Sequence, residues 1–234
     1  MRLEKLEWDS NFFNYNIGRI IINENQSLNI PDFLSNSKEF KLVYIFSKLS
    51  LQNELFKLVD EKVVLHQELS QINIDLTSDF SSIKSFNKLT HNRKELEALA
   101  IESGAYSRFK IDENFKSDEF LKLYQSWISL SIDGELAFDI VVATDKNEHI
   151  IGFVTLNKKS ESLVDIGLVA VSGAHRGKGI GKKLLQYTLK KCFELGYKEI
   201  QVVTQFNNVN AMKLYESVGF EIQEKTFVYH YWNL

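Results

Sequence analysis

The 234-residue sequence has a single cysteine, Cys192, and a single proline, Pro31. One cysteine excludes an internal disulfide framework and any cysteine-rich zinc site. Cys192 falls among Leu185, Leu189 and Phe193 at helical spacing, so it reads as a small buried apolar residue. With one proline and no Pro/Gly/Ser-rich stretch, no linker is marked by composition, and boundaries must come from the character of the segments. There is no excess of positive charge: 28 Lys and Arg stand against 31 Asp and Glu, for a net charge of −3. That balance excludes the basic field of a general nucleic-acid binder, so any anion site must be local. No apolar run approaches the ~20 residues that span a bilayer. The opening "MRLEKLEWDS" puts acids where a signal peptide needs an apolar core, and a soluble, cytoplasmic protein is expected. The five histidines are scattered without ligand spacing, so no metal is expected.

What the chain does have is 44% apolar residues, 12% of the total aromatic, enough for a sizeable core. Residues 1–78 read as a small α/β unit: strand-like "GRIII", "KLVYIFS" and "INIDL" surround "SLQNELFKLVDEK", where Leu51, Leu55, Leu58 and Val59 predict an amphipathic helix. Residues 79–234 read as a larger unit. Two helices end at Gly104 and near Gly134, and three strands then form an antiparallel meander through "LVAV". A long helix over about 179–195 is closed by Gly196, followed by strand "EIQVVTQ", a short helix with asparagine caps stopped by Gly219, and a last strand "TFVYHYWNL".

Between "LVAV" and the long helix lies "HRGKGIGKKLL", with three glycines and five basic side chains in eleven positions. The order strand, turn, helix places free backbone N–H groups of residues 176–181 at a helix N-terminus, where donors and dipole attract anions. Gly177, Gly179 and Gly181 remove Cβ atoms that would hold a ligand off the backbone, while Arg176, Lys178, Lys182 and Lys183 add local charge. The ligand expected is a polyphosphate. A Walker A loop is excluded, because Arg176 stands where its first glycine belongs and Lys183 where its hydroxyl belongs. A dinucleotide fingerprint fits poorly, since the glycine spacing differs and one more helix remains downstream.

"RGKGIGKKLL" resembles motif A of the GNAT acyltransferases, read here as Arg176-x-x-Gly179-x-Gly181. "NNVNAMKLYESVGF" resembles the same family's later motif through Asn208, Ala211, Leu214, Tyr215, Gly219 and Phe220. The resemblance covers about residues 79–234 and implies an α/β fold: a mixed, mostly antiparallel splayed sheet flanked by helices, preceded here by the smaller N-terminal α/β unit. It implies acetyl-CoA as co-substrate, held by Leu168, Val169, Ala170, Val171, Arg176, Gly177, Lys178, Gly179, Ile180, Gly181, Lys182 and Asn208. A backbone N–H near Val169 or Val171 is implied to bind the acyl carbonyl, and Tyr215 to protonate the departing sulfur as general acid.

"LEWDSNFFNYNIGRI", "SRFKID" and "YHYW" are similar to segments of nucleotide-amino-sugar N-acyltransferases, over nearly the whole chain. That likeness implies an acceptor with its own diphosphate and base, for which Arg108 and the aromatic Phe109 are the expected contacts. The partners implied are acetyl-CoA and a small-molecule amine, with no nucleic acid and no membrane. Oligomeric state, a homodimer included, stays open. A GNAT acetyltransferase of proteins, peptides or other amines, and a catalytically silent acyl-CoA-binding module, are the alternatives. No general base is singled out: Asp139, Asp165 and Glu135 read as solvated or capping carboxylates, and His175 as a surface residue.

Overall fold

In the computed structural model, residues 3–72 and 79–233 are described. Most of the predicted "INIDL" strand lies outside them. One mixed sheet of ten strands forms among these residues, in the order β1-β2-β3-β10-β4-β9-β8-β7-β6-β5. Its first part comprises β1 (Glu4–Lys5), α1 (Glu7–Phe13), β2 (Ile17–Ile22), α2 (Ile30–Asn36), β3 (Leu42–Ser47) and β4 (Lys57–Glu68). Then come β5 (Ile83–Ser85), α3 (Arg93–Ser103), α4 (Arg108–Ile111), α5 (Ser117–Asp133), β6 (Asp139–Thr144), β7 (Ile150–Lys158) and β8 (Leu163–Val171). The chain continues with α6 (Ile180–Glu194), β9 (Glu199–Gln205), α7 (Val209–Glu216) and β10 (Glu221–Trp232).

Side-chain alternation sorts the sheet into two faces. Val141, Ala143 and Val154 join Leu184, Leu185, Leu189, Met212 and Tyr215 of α6 and α7 in one core. Their neighbours Ile140, Val142 and Phe153 point the other way, onto Leu96, Leu99, Ile128 and Ile132 of α3 and α5. Cys192 is fully buried in the first of these cores, and burial pushes its thiol up to about 12, as expected of an inert apolar residue. The helix stops stand where the glycines predict them: Gly134, Gly196 and Gly219 all have positive φ at helix ends.

The two units expected at 1–78 and 79–234 share this sheet. β10 pairs antiparallel with β3 on one side and with β4 on the other, so main-chain hydrogen bonds join the early strands to the late ones. The helix expected over "SLQNELFKLVDEK" is a correction: its second half begins the twelve-residue strand β4. Leu55 and Leu58, counted on the apolar face of that helix, are exposed. β4 is paired on both edges, by β10 and β9, and the β-branched Val59, Val63 and Val64 suit such a strand better than a helix.

Candidate active site

β8 and β9 are parallel neighbours only from Leu163 opposite Glu199 to Ile166 opposite Val202, and both strands continue beyond that pairing. The parting begins at a bulge. Thr155 of β7 faces two residues of β8, Gly167 and Leu168, and its hydroxyl accepts the Leu168 N–H at 2.8 Å. Gly167 is required there, since a Cβ would lie 2.7 Å from Thr155 Oγ1 and 2.8 Å from Asn157 Nδ2. The N–H groups of Leu168 and, farther on, Ser172 point to β7. By alternation those of Val169 and Val171 point the opposite way, into the gap that β9 has left.

This gap is a cleft of about 620 Å³. Leu168, Val169, Ala170 and Val171 form one wall, and Val203, Thr204 and Gln205 of β9 lie across it. Arg176, Gly177, Gly179, Ile180, Gly181 and Lys182 close one end, with Asn208 and Tyr215 beside them. Of the residues expected at the cofactor, Lys178 alone does not line the cleft; its ammonium turns back to the Ala174 carbonyl at 3.0 Å. His175, expected at the surface, is half-buried and lines the cleft.

The three glycines of the loop have two different reasons. Gly177 and Gly179 adopt φ of +74° and +77°, which favours glycine, and a Cβ on either would meet nothing within 4 Å. Gly181 lines the cleft and has a second reason as well: its Cβ would sit 3.0 Å from Leu214 Cδ2, so glycine also eases the close approach of α6 to α7. Gly179 is the N-cap of α6 and supplies no side-chain cap, so the first N–H groups of that helix have no intrahelical partner. Arg176 is engaged locally, its Nε donating to the Val171 carbonyl at 2.8 Å and its Nη2 to Glu102 Oε2 at 3.0 Å.

Tyr215 is 5% exposed, packed edge-on to Phe220, and burial pushes its phenol above the usual tyrosine range. Asn208 caps α7, its side-chain oxygen accepting the Ala211 N–H at 3.2 Å.

The acceptor contacts read from "SRFKID" separate. Phe109 is a correction: it is buried among Phe13, Tyr44 and Phe115 and offers no exposed platform. Arg108 lies over aromatic faces, its guanidinium carbon 4.8 Å from the Tyr44 ring and 4.6 Å from that of Phe109, while its Nε is buried without a partner.

Beside Arg108 stand two carboxylates that carried no sequence signal. Burial pushes Asp60 of β4 up to about 6, against the opposing charge of Arg108 and a hydrogen bond from Gln205. Gln205 lines the cleft, which connects Asp60 to it. Burial likewise raises Asp9, again opposed by Arg108. Neither Asp60 nor Asp9 sits at a diagnostic spacing; the pairing of β4 and the docking of α1 bring them together. The carboxylates weighed from sequence lie elsewhere. Asp139 pairs with Lys191 at 2.5 Å, and Asp165 accepts from Gln201 at 2.6 Å where β8 and β9 are still paired.

Among the described residues no group of histidine, cysteine and carboxylate side chains could hold a metal ion, and no helix is long and apolar enough to cross a membrane. Known proteins agree with this geometry. A dTDP-fucosamine acetyltransferase of Escherichia coli O6:H1 is 24% identical over 96% of both chains. The Bacillus subtilis spore coat polysaccharide biosynthesis protein SpsD is 30% identical over 57% of this chain, and the match spans 45% of that protein. A conserved protein of unknown function from Staphylococcus epidermidis shares the fold at a TM-score of 0.62 and 12% identity, over 94% of this chain and 85% of its own. Residues 94–220 match the model of the acetyltransferase (GNAT) family, and with more than half of its length inside that match the chain belongs to the GNAT acetyltransferases.

Proposed function

We propose that the chain is an acetyl-CoA-dependent N-acetyltransferase acting on the amino group of a nucleotide-linked amino-dideoxysugar. The observation that carries the reading is the parting of β8 from β9 beside a helix N-terminus whose loop glycines leave open space. Uncapped N–H groups at the start of α6, with Arg176 and Lys182 near them, fit a diphosphate. The bare edge of β8 fits an extended amide-bearing arm. Bound there, acetyl-CoA supplies a thioester carbonyl for attack by an amine.

The chain's own groups then divide the work. The Val169 or Val171 N–H donates to the acyl oxygen, an interaction of about 3–4 kcal/mol where charge develops on that oxygen. Tyr215 holds a proton for the sulfur. Its burial disfavours the phenolate, so it acts chiefly as a hydrogen-bond donor whose proton leaves only as negative charge builds on the sulfur. Burial holds Asp60 up at about 6; above that pH its carboxylate, accepting a hydrogen bond from Gln205, favours an acceptor ammonium near that end of the cleft, whose proton passes to water. Arg108 is not among the residues lining the cleft; from beside Asp60 its guanidinium, with an unpartnered Nε, supplies positive charge for a phosphate-bearing acceptor.

The amino-sugar reading draws support from the likeness to dTDP-fucosamine acetyltransferase, which covers 96% of the chain and so reaches well before residue 94, outside the region common to the family. The test is release of free thiol from acetyl-CoA with dTDP-fucosamine as acceptor, against a lysine peptide and an aminoglycoside. Turnover confined to the sugar nucleotide supports the reading; turnover on the peptide or aminoglycoside alone overturns the acceptor. Tight CoA binding with no release on any amine indicates a binding module.

A further inference from the structure

Arg108 opens α4, a helix of four residues. One turn does not hold itself in water, because nucleation costs more than its few hydrogen bonds return. Ser107 caps its start by accepting the Phe109 N–H at 3.3 Å. Its other end is Asp112, whose N–H donates to the Arg108 carbonyl at 3.0 Å and whose side chain is fully buried.

That carboxylate gathers donors from three places in the chain. Asp112 Oδ2 accepts from His230 Nδ1 at 2.6 Å and from Trp232 Nε1 at 2.7 Å, both on β10. Asp112 Oδ1 accepts from Lys57 Nζ of β4 at 3.2 Å and from Asn114, whose N–H and Nδ2 lie at 3.3 and 3.2 Å. His230 also packs against Tyr44, ring centroids 5.0 Å apart, and Tyr44 is one of the aromatic faces under the Arg108 guanidinium. The carboxylate thus fixes both the turn that carries Arg108 and the ring on which it rests. A buried ionised group is seldom the most stabilising choice for such a position, whereas it fixes geometry strongly once its donors are matched.

We propose that Asp112 is a positioning residue of the acceptor site, acting through Arg108; this rests on the reading of Arg108 as an acceptor contact. Asp112→Asn keeps the volume and one accepting oxygen, but sets an amide donor against Lys57 and Asn114. With dTDP-fucosamine and acetyl-CoA as probes, the expected result is a rise of at least about ten-fold in acceptor KM, with kcat within about three-fold. The Kd for acetyl-CoA, measured by calorimetry, stays within about two-fold. Unchanged acceptor KM overturns the proposal, as does an equal loss of acetyl-CoA affinity, which marks general destabilisation. If Asp112→Asn does not fold, Trp232→Phe removes one donor while keeping a ring against Phe115, and a KM rise of about two- to five-fold with the same split is expected. Arg108→Met separates the two readings. If it raises KM while Asp112→Asn does not, the positioning role alone fails; if it leaves KM unchanged, the role of Arg108 fails and the proposal with it.

Discussion

Arg176 Nη2 lies 3.0 Å from Glu102 Oε2, a contact that spans the mouth of the cleft from the loop before α6 to the end of α3. The arginine of the anion-binding motif is thus shared with a carboxylate that repels the same anion. Both side chains are largely exposed, which limits the pair to about 1 kcal/mol or less. Glu102→Gln is expected to tighten CoA binding by about two- to five-fold at low salt, with the gain fading as ionic strength rises. Weaker binding in calorimetry would show instead that Glu102 orients Arg176 for the ligand.

The glycines of the loop should separate into two kinds of variant. Gly179→Asp places a side chain on a backbone at φ +77° and a negative charge at the helix N-terminus, and should weaken CoA binding by at least about a hundred-fold. Gly181→Ala presses on Leu214 and should cost about 1–3 kcal/mol of stability, read as a lower Tm, with the smaller effect on CoA affinity. Near-normal CoA affinity in Gly179→Asp would remove the loop from the cofactor site.

Tyr215→Phe deletes one hydroxyl from a buried ring and leaves its packing on Phe220 in place. Turnover should fall by about a hundred-fold or more while the Kd for acetyl-CoA changes by less than about two-fold. An unchanged kcat would exclude the phenol from the chemistry.

Asp60 gives a pH signature in both activity and stability. Its folded-state pKa, about 6, lies above the ordinary carboxylate value, so between about pH 4 and 6 the unfolded chain loses this proton more readily than the folded one. Ionisation of Asp60 therefore costs stability, by up to about 3 kcal/mol once the pH passes 6. The Tm of Asp60→Asn relative to the unchanged protein should rise from pH 4 to pH 7, and kcat/KM of the unchanged protein should climb through about pH 6. A Tm difference that is flat with pH would show that Asp60 ionises normally.

The sequence makes the glycine-loop side of the cleft legible because that side is built from local pieces. A strand, a glycine turn and a helix lie within about thirty residues, so "LVAVSGAHRGKGIGKKLL" announces its own geometry. The surroundings of Arg108 are assembled from distant segments. Asp60 meets Arg108 only because β4 pairs between β10 and β9, and β4 was hidden by an apolar spacing in "SLQNELFKLVDEK" that also suits a helix. The burial of Phe109 is illegible for a related reason: an aromatic beside an arginine looks the same whether it faces a ligand or, as here, the rings of Phe13 and Phe115.

The seat of β10 between β3 and β4 has a consequence for how the protein comes into being. The residues that join β3 to β4 are made after the nine other strands of the sheet. A nascent chain that has not yet reached Glu221 holds β3 and β4 as unmatched edges, open to strands of other chains. Closure of the sheet then waits on contacts 180 to 190 residues apart, from Ser47 with Phe227 to Leu42 with Trp232, so this architecture couples slow maturation to a window of aggregation.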